Sequence, residues 1–137
     1  MQYMVSNRKA VSAEDRVGDA DRWEAQLRRG SLEMAILASL WKRRLYGLEI
    51  LRVLDNGSGL EMLEGTLYLI LNRLKSAGLV YSEWVDAGSG HPRKYYRLTA
   101  TGEKRLHTMA RLWSQFSAGL DKLVAPVLRR EESSNGH

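Results

Sequence analysis

The sequence predicts a mainly α-helical fold with one small β-hairpin and a long C-terminal helix. Apolar residues recur at helical spacing over most of residues 31–127, which indicates several amphipathic helices. Two short runs of alternating residues, 79–85 and 93–99, enclose a glycine-containing loop, and this pattern is typical of a hairpin. The 137 residues are enough for one domain with a modest core.

The first strong helix is expected to begin at Ser31, because serine is a good N-cap and an apolar face follows it. Residues 1–30 are expected to form an arm that is partly disordered or contains a short helix. Three cations, Lys42, Arg43 and Arg44, are expected to close the last turn, where positive charge suits the helix dipole. The expected apolar face consists of Leu32, Ile36, Leu37, Leu40 and Trp41.

Two further short helices are predicted between residues 46 and 77. The second helix begins at Tyr46 and Gly47 and ends at the glycine-rich breaker of residues 55–59. The third covers roughly residues 64–77, and Gly78 suits the position just past its end. The side chains expected to be buried are Leu48, Leu51 and either Val53 or Leu54 in the second helix, and Leu63, Leu67, Ile70, Leu71 and Leu74 in the third.

The predicted hairpin carries cations next to its loop at residues 86–90. Because side chains alternate along a strand, Tyr96 and Leu98 share one face with Lys94, and the first two are interpreted as core residues. The opposite face of the same strand consists of Arg93, Tyr95 and Arg97.

A long final helix is expected from about Ala100, with Thr99 as its N-cap. Its apolar positions follow alternating steps of three and four residues, which is the heptad seam of a coiled coil. A helix packed on its own domain is the alternative, although so small a domain has little core left to cover three heptads. Residues 100–128 are expected to form a dimerisation helix and residues 129–137 a disordered tail. The predicted dimer interface consists of Leu106, Met109, Trp113, Phe116, Leu120 and Leu123, and Val127 continues the seam.

Three helices followed by a hairpin make a winged helix-turn-helix arrangement, here over residues 31–99. In this arrangement the third helix enters the DNA major groove, the second braces it, and the hairpin forms the wing. Each candidate for DNA contact also has a purely structural alternative. Arg93 and Lys94 could form a solvated strand edge, and Tyr68 could be a half-buried ring. Asn72 and Arg73 could be ordinary helix surface. The predicted DNA-binding residues are Gly65, Thr66, Tyr68, Asn72, Arg73 and Lys75 in the third helix and Arg93, Lys94 and Arg97 in the wing.

The composition is compatible with a nucleic-acid partner and argues against catalysis. The formal net charge of +5 suits a polyanion, although solubility alone explains it equally well. The chain has no cysteine, and His91, His107 and His137 share no catalytic or metal-ligand spacing. We therefore expect no enzyme, no metal and no cofactor. No apolar run approaches the ~20 residues of a membrane span, and the first residues lack a secretion signal, so the cytoplasm is the expected location.

Two stretches of the chain, EGTLYLILNRLKSAGLV at residues 64–80 and GSGHPRKYYRLTATGEKRL at residues 88–106, closely resemble the PadR family of transcriptional regulators. The segment YGLEI at residues 46–50 also matches the usual opening of the family's second helix. The resemblance covers about residues 31–123. Leu69 and His91 depart from the pattern, which often has proline and arginine at these two positions.

The resemblance implies a homodimer that represses transcription at a roughly two-fold symmetric operator, with the C-terminal helix as the dimer element. In related multidrug-binding members an aromatic pair near the dimer axis sandwiches a flat ligand. Trp113 and Phe116 are accordingly either the site of a small hydrophobic or aromatic effector or simple interface anchors. A winged helix used only for protein contacts, without DNA, is the remaining alternative for the whole domain.

Overall fold

The computed structural model describes residues 13–56, 59–86, 88 and 90–135 of the chain. Its helices and short strands confirm the predicted fold class, which is mainly α with a small β-hairpin and a long C-terminal helix. The chain divides into two compact units, residues 1–32 and residues 33–137. The elements are α1 (Ala13–Ser39), β1 (Leu45–Tyr46), α2 (Gly47–Asp55), α3 (Glu64–Ser76), β2 (Val80–Val85), β3 (Arg93–Leu98) and α4 (Ala100–Asn135).

Helix α1 is one continuous helix of 27 residues, so the prediction of a separate helix beginning at Ser31 was wrong. The Ser31 hydroxyl donates to the carbonyl oxygen of Leu27 at 3.3 Å, which is a contact of a residue inside a helix and not of an N-cap. Gly30 does not interrupt the helix, because a helical glycine costs only about 1 kcal/mol relative to alanine. Of the arm expected over residues 1–30, residues 1–12 lie outside the described residues and residues 13–30 belong to α1.

Helix α1 ends at Ser39, before the three cations that were expected in its last turn. Lys42 has a φ of 58°, a left-handed conformation that does not continue a right-handed helix. Arg43 still serves the helix end, since its Nε donates to the carbonyl oxygen of Ser39 at 2.8 Å. Trp41, which was expected to be buried, lies beyond the helix and is 44% exposed.

The core of the second unit is built from α1, α2, α3 and the sheet. In α3 the predicted apolar face is buried except for Leu63, which precedes the helix and points away from the core. Gly78 has a φ of 76° just past the end of α3, as its predicted position required. The largest fully buried side chains are Ile36, Leu37, Leu40, Ile50, Leu67, Leu71, Leu74 and Val80.

Helix α2 matches its predicted buried face only in part, because Leu54 is buried and Leu51 is half-buried. Leu48 and Val53 are exposed, although the sequence placed Leu48 on the buried side and allowed either Val53 or Leu54 there. A helix of nine residues has too few turns for its apolar period to define a face clearly. Its buried residues are Gly47, Ile50 and Leu54.

The sheet has three antiparallel strands in the order β1-β3-β2, of which the sequence predicted only β2 and β3. Strand β1 has two residues, too few for an alternating pattern, and it pairs Leu45 with Tyr96 and Tyr46 with Tyr95. In the hairpin, Ser82 lies opposite Tyr96 and Trp84 lies opposite Lys94. Tyr96 is buried, as predicted, and it anchors the sheet to the core.

Helix α4 begins at a tightly packed junction with the start of the hairpin. The N–H of Gly102 donates to Thr99 Oγ1 at 2.9 Å, which confirms Thr99 as the N-cap. The Thr99 hydroxyl donates to the carbonyl of Gly78, and the Thr99 N–H donates to the carbonyl of Leu79. Helix α4 then runs through Pro126 to Asn135, so the tail expected to be disordered from residue 129 is helical as far as Asn135.

Candidate nucleic-acid interface

One side of α3 faces away from the core and carries the predicted DNA-binding residues. Gly65, Tyr68, Asn72, Arg73 and Lys75 are exposed, and Thr66 is half-buried. These exposed residues alternate with the buried leucines of α3, because residues three and four apart lie on the same face of a helix. The structure therefore leaves this side of α3 open to a partner.

A groove of ≈560 Å³ lies between this side of α3 and the wing, and we refer to it as the α3–wing groove. It brings together four predicted site residues, namely Tyr68 and Asn72 from α3 and Arg93 and Lys94 from the wing. Among the described residues, the lining consists of Tyr46, Gly47, Leu48, Glu64, Tyr68, Asn72, Trp84, Pro92, Arg93, Lys94 and Tyr96. A concave surface of this kind, with cations on one wall, suits an extended anion.

Tyr68 is held in the groove by its neighbours on α2 and α3. Its hydroxyl lies so close to the Cα of Gly47 that any side chain at position 47 would collide with it. Burial raises the pKa of Tyr68 above its ordinary value of 10.0, and the charge of Glu64 and a hydrogen bond to Glu64 raise it further. Burial likewise raises the pKa of Tyr96, with a smaller contribution from Tyr68. Both hydroxyls therefore keep their protons near neutral pH, so Tyr68 is a hydrogen-bond donor there.

Arg93 and Lys94 of the wing rest on aromatic rings, and no carboxylate of the described residues forms an ion pair with either of them. The Arg93 guanidinium lies 4.5 Å from the ring centre of Tyr46. The Lys94 ammonium lies 6.0 Å from the ring centre of Trp84 and 5.9 Å from that of Tyr96. Cation–π contacts of this kind position a cation and leave its charge available to an anion.

The other three predicted cations do not line the groove. Arg73 pairs with Glu33 of α1 at 3.0 Å, and Arg97 lies 3.6 Å from Glu83 on the outer face of the sheet. Lys75 donates to the hydroxyl of Ser82 at 2.9 Å. Exposed pairs of this kind contribute only about 0–1 kcal/mol, so these cations can exchange their partners for phosphate at little cost.

Several residues of the groove wall, among them Trp84 and Tyr46, were not predicted as site residues. Trp84 is 69% exposed and stands at the outer end of β2, directly across from Lys94. The alternation of side chains along the strand could have predicted this position, because Trp84 lies two residues beyond Ser82 and on the same, core-facing side. Tyr46 belongs to β1, whose two residues leave no sequence pattern, and its position follows only from pairing with Tyr95.

The apolar seam of α4 is exposed over most of its length. Trp113 is 50% exposed, Phe116 64% and Leu123 74%, and Leu120 is exposed as well. Leu106 differs, because it is buried against its own domain and is 6% exposed. The prediction that Leu106 belongs to a dimer interface is therefore wrong, since the first turns of α4 already pack on the winged domain. Met109 is half-buried and marks the transition.

In the part of the chain that the structure describes, no three histidine, aspartate or glutamate side chains are grouped so that they can hold a metal ion. Among the helices of the described residues, none has the length and apolar character needed to span a membrane.

The pair α2–α3, the sheet and the groove between α3 and the wing define a winged helix-turn-helix protein of the kind that contacts nucleic acid. A model of the transcriptional regulator PadR-like family matches residues 36–108. The chain belongs to this family, which confirms the resemblance that its motifs indicated. Members are transcriptional regulators and not enzymes, in agreement with the prediction that this chain is not an enzyme.

The chain is similar to several solved structures. A PadR family transcriptional regulator from Eggerthella lenta DSM 2243 is 35% identical, with a TM-score of 0.71 over 82% of this chain and 97% of that one. Bacillus subtilis PadR in complex with operator DNA is 27% identical, with a TM-score of 0.53, over 58% of this chain and 46% of that one. An uncharacterised protein of Lysinibacillus sphaericus is 30% identical over 95 residues, which are 68% of this chain and 87% of that protein.

Proposed function

We propose that the chain is a DNA-binding transcriptional regulator that binds a two-fold symmetric operator as a homodimer and represses transcription there. The observation that carries the proposal is the α3–wing groove, because it unites Tyr68 and Asn72 of α3 with the wing cations Arg93 and Lys94 on one concave surface. The relative from Bacillus subtilis, which was crystallised with operator DNA, supports the same kind of target.

In this proposal α3 lies in the major groove with its exposed side toward the bases. Asn72 is then placed to pair with adenine, whose N6 and N7 match an amide. Thr66 and Tyr68 donate to phosphate oxygens and fix the position of the helix. Gly65 leaves room for a close approach of the DNA backbone, because a Cβ built there would meet no described atom within 4 Å apart from its chain neighbours and the backbone of its own helix.

The remaining predicted cations act at the edges of the contact. Arg73, Lys75 and Arg97 are exposed or half-exposed and are held only by surface partners. Each adds a phosphate contact when duplex DNA displaces that partner, and each such contact releases a counterion. These residues then contribute affinity that depends on salt, whereas Asn72 contributes the preference for a sequence.

The proposed dimer forms along α4. The exposed seam of Trp113, Phe116, Leu120 and Leu123, with half-buried Met109 at its start, has no cover within the described chain. The 36 residues of α4 extend over about 54 Å, which is longer than the winged domain needs for its own core. A second copy burying the same seam satisfies the self-complementarity that a two-fold interface requires.

Trp113 and Phe116 carry the effector part of the proposal, since two large exposed rings one helical turn apart can stack on a flat apolar ligand. Binding there would alter the dimer and release the operator. The same rings act as plain interface anchors if no effector exists. The place of action in this proposal is the cytoplasm, where a repressor meets the promoters that it controls.

Selection of bound duplexes from a random pool tests the proposal directly. An inverted repeat, recovered with half-sites separated by about one helical turn, would support both DNA binding and two-fold assembly. Failure to enrich any sequence, together with no retention of duplex DNA in dilute salt, would contradict it. That result would favour the alternative of a winged helix that contacts only proteins.

A further inference from the structure

The wall of the α3–wing groove holds a large apolar ring that the core does not use. Trp84 shares the core-facing side of β2 with Val80, which is 2% exposed, yet Trp84 itself is 69% exposed at the outer end of the strand. An indole ring left in water is costly, and exposed tryptophans are enriched at surfaces that bind a partner. Among its described neighbours the ring contacts Lys94, and the groove lies in front of it.

The geometry of duplex DNA determines what fills this groove when α3 lies in a major groove and the wing lies over the adjacent minor groove. The two grooves of a duplex are separated by one sugar–phosphate strand. That strand must therefore run between α3 and the wing, which is the course of the α3–wing groove. This step rests on the proposed function, and it adds a particular occupant for the groove.

The lining of the groove matches the alternating chemistry of such a strand. Arg93 and Lys94 supply positive charge for phosphates, and Trp84 supplies a flat apolar face beside Lys94 for the carbon-rich side of a deoxyribose. Glu64 lines the α3 side and repels phosphate, so the phosphates are directed toward the wing. Sugar and phosphate thus meet Trp84 and Lys94 side by side.

We propose that Trp84 is a DNA-strand contact residue, whose indole ring packs on a deoxyribose of the strand in the α3–wing groove, beside the phosphates that Arg93 and Lys94 bind. The contact is apolar, so it adds affinity without releasing counterions. It also reads no base, so it acts equally on every operator sequence.

Operator binding measured over a range of salt concentrations separates this role from that of the cations. Trp84→Ala should weaken binding about 10-fold at every salt concentration with an unchanged salt slope, as expected for a lost ring contact. Lys94→Ala should instead make the salt slope shallower by about one. Trp84→Phe keeps a flat ring and should retain most of the affinity. Trp41→Ala removes another exposed tryptophan, outside the groove, and should bind as the wild type does.

Hydroxyl-radical footprinting of the same complexes reports directly on the deoxyriboses. The wild type and Trp84→Phe should protect sugars of one strand between the major-groove half-site and the wing, and Trp84→Ala should expose them. Normal affinity and normal protection in a folded Trp84→Ala variant would overturn the inference and leave the proposed function intact. A wild-type protein that binds no duplex at all would overturn the proposed function, and the inference with it.

Discussion

The Cα of Gly102 lies directly against the backbone carbonyl of Leu79. A Cβ at position 102 would overlap the carbonyl oxygen and reach to 2.9 Å from the carbonyl carbon. This approach is possible because Thr99, three residues earlier, both caps α4 and hydrogen-bonds to the start of the hairpin. The junction thereby connects the wing to α4 through backbone atoms, which cannot move aside as side chains can.

Substitution of Gly102 by alanine should therefore destabilise the protein. We expect the free energy of unfolding to fall by roughly 2 kcal/mol, as in other overpacked sites, with a lower melting temperature as the readout. Gly119→Ala on the same helix is the matched control, because outside its own helix no described atom lies within 4 Å of a Cβ built there, and alanine favours a helix by up to about 1 kcal/mol. Equal melting temperatures for the two variants would contradict the role given to the junction.

Gly65→Ala should separate folding from DNA binding. Outside its own helix, the added methyl group meets no described atom within 4 Å, so the free energy of unfolding should stay the same or rise by up to about 1 kcal/mol. If the start of α3 approaches the DNA backbone closely, the same methyl group should weaken operator binding at least about 10-fold, or about 1.4 kcal/mol. Calorimetric melting and a binding titration on one preparation check both parts. Unchanged affinity would show that Gly65 does not face the duplex closely.

The sequence predicted α3 and the hairpin well because each is governed by a clear period. Leu67, Ile70, Leu71 and Leu74 are buried as the helical spacing indicated, and Tyr96 is buried as the strand alternation indicated. These signals are local, so a single sequence is sufficient to reveal them.

The errors arose where long-range contacts decide the structure. Ser31 resembled an N-cap, but its hydroxyl can also form a hydrogen bond inside a helix, as it does here with the carbonyl oxygen of Leu27. Sequence alone therefore cannot distinguish a serine at a helix start from one inside a helix. Strand β1 exists only because Leu45 and Tyr46 find β3, about fifty residues later in the chain. Leu106 follows the heptad spacing and yet is buried in its own domain, since the spacing shows which face is apolar and not what covers it.

Alkaline pH should destabilise the protein through Tyr68 and Tyr96. Both pKa values are raised in the folded state, so the folded protein binds these protons more tightly than the unfolded chain does. The resulting stability is fully present below the ordinary pKa of 10.0 and is lost as the pH rises through the raised values. Denaturant unfolding measured on both sides of pH 10 should show this decline, and Tyr68→Phe should make it shallower.

Ultraviolet titration of tyrosinate tests the cause of the Tyr68 shift. Glu64→Gln removes the charge that disfavours ionisation, so Tyr68 should titrate at a lower pH than in the wild type while burial keeps its pKa above the ordinary value. A titration curve unchanged by this substitution would mean that Glu64 does not act on the Tyr68 hydroxyl.

Removal of the wing cations should weaken binding to every DNA sequence alike. Arg93→Ala with Lys94→Ala eliminates two phosphate contacts, so the slope of log affinity against log salt should become shallower by about two. Arg129→Ala with Arg130→Ala is the control, because it removes the same charge from exposed positions near the far end of α4. Equal losses in the two double variants would indicate a general effect of net charge and would remove the wing from the interface.

Two leucines of α4 distinguish a dimer seam from ordinary helix surface. Leu123 lies on the heptad seam and Leu128 lies off it, and both are more than half exposed in the single chain. Leu123→Ala should raise the dimer dissociation constant at least about 10-fold, because burial of each leucine contributes roughly 1.5–3 kcal/mol and a dimer loses two of them. Leu128→Ala should leave the constant nearly unchanged, and Trp113→Ala should have a larger effect than Leu123→Ala. Sedimentation velocity over a dilution series measures all three, and identical behaviour of the two leucine variants would show that α4 does not associate through this seam.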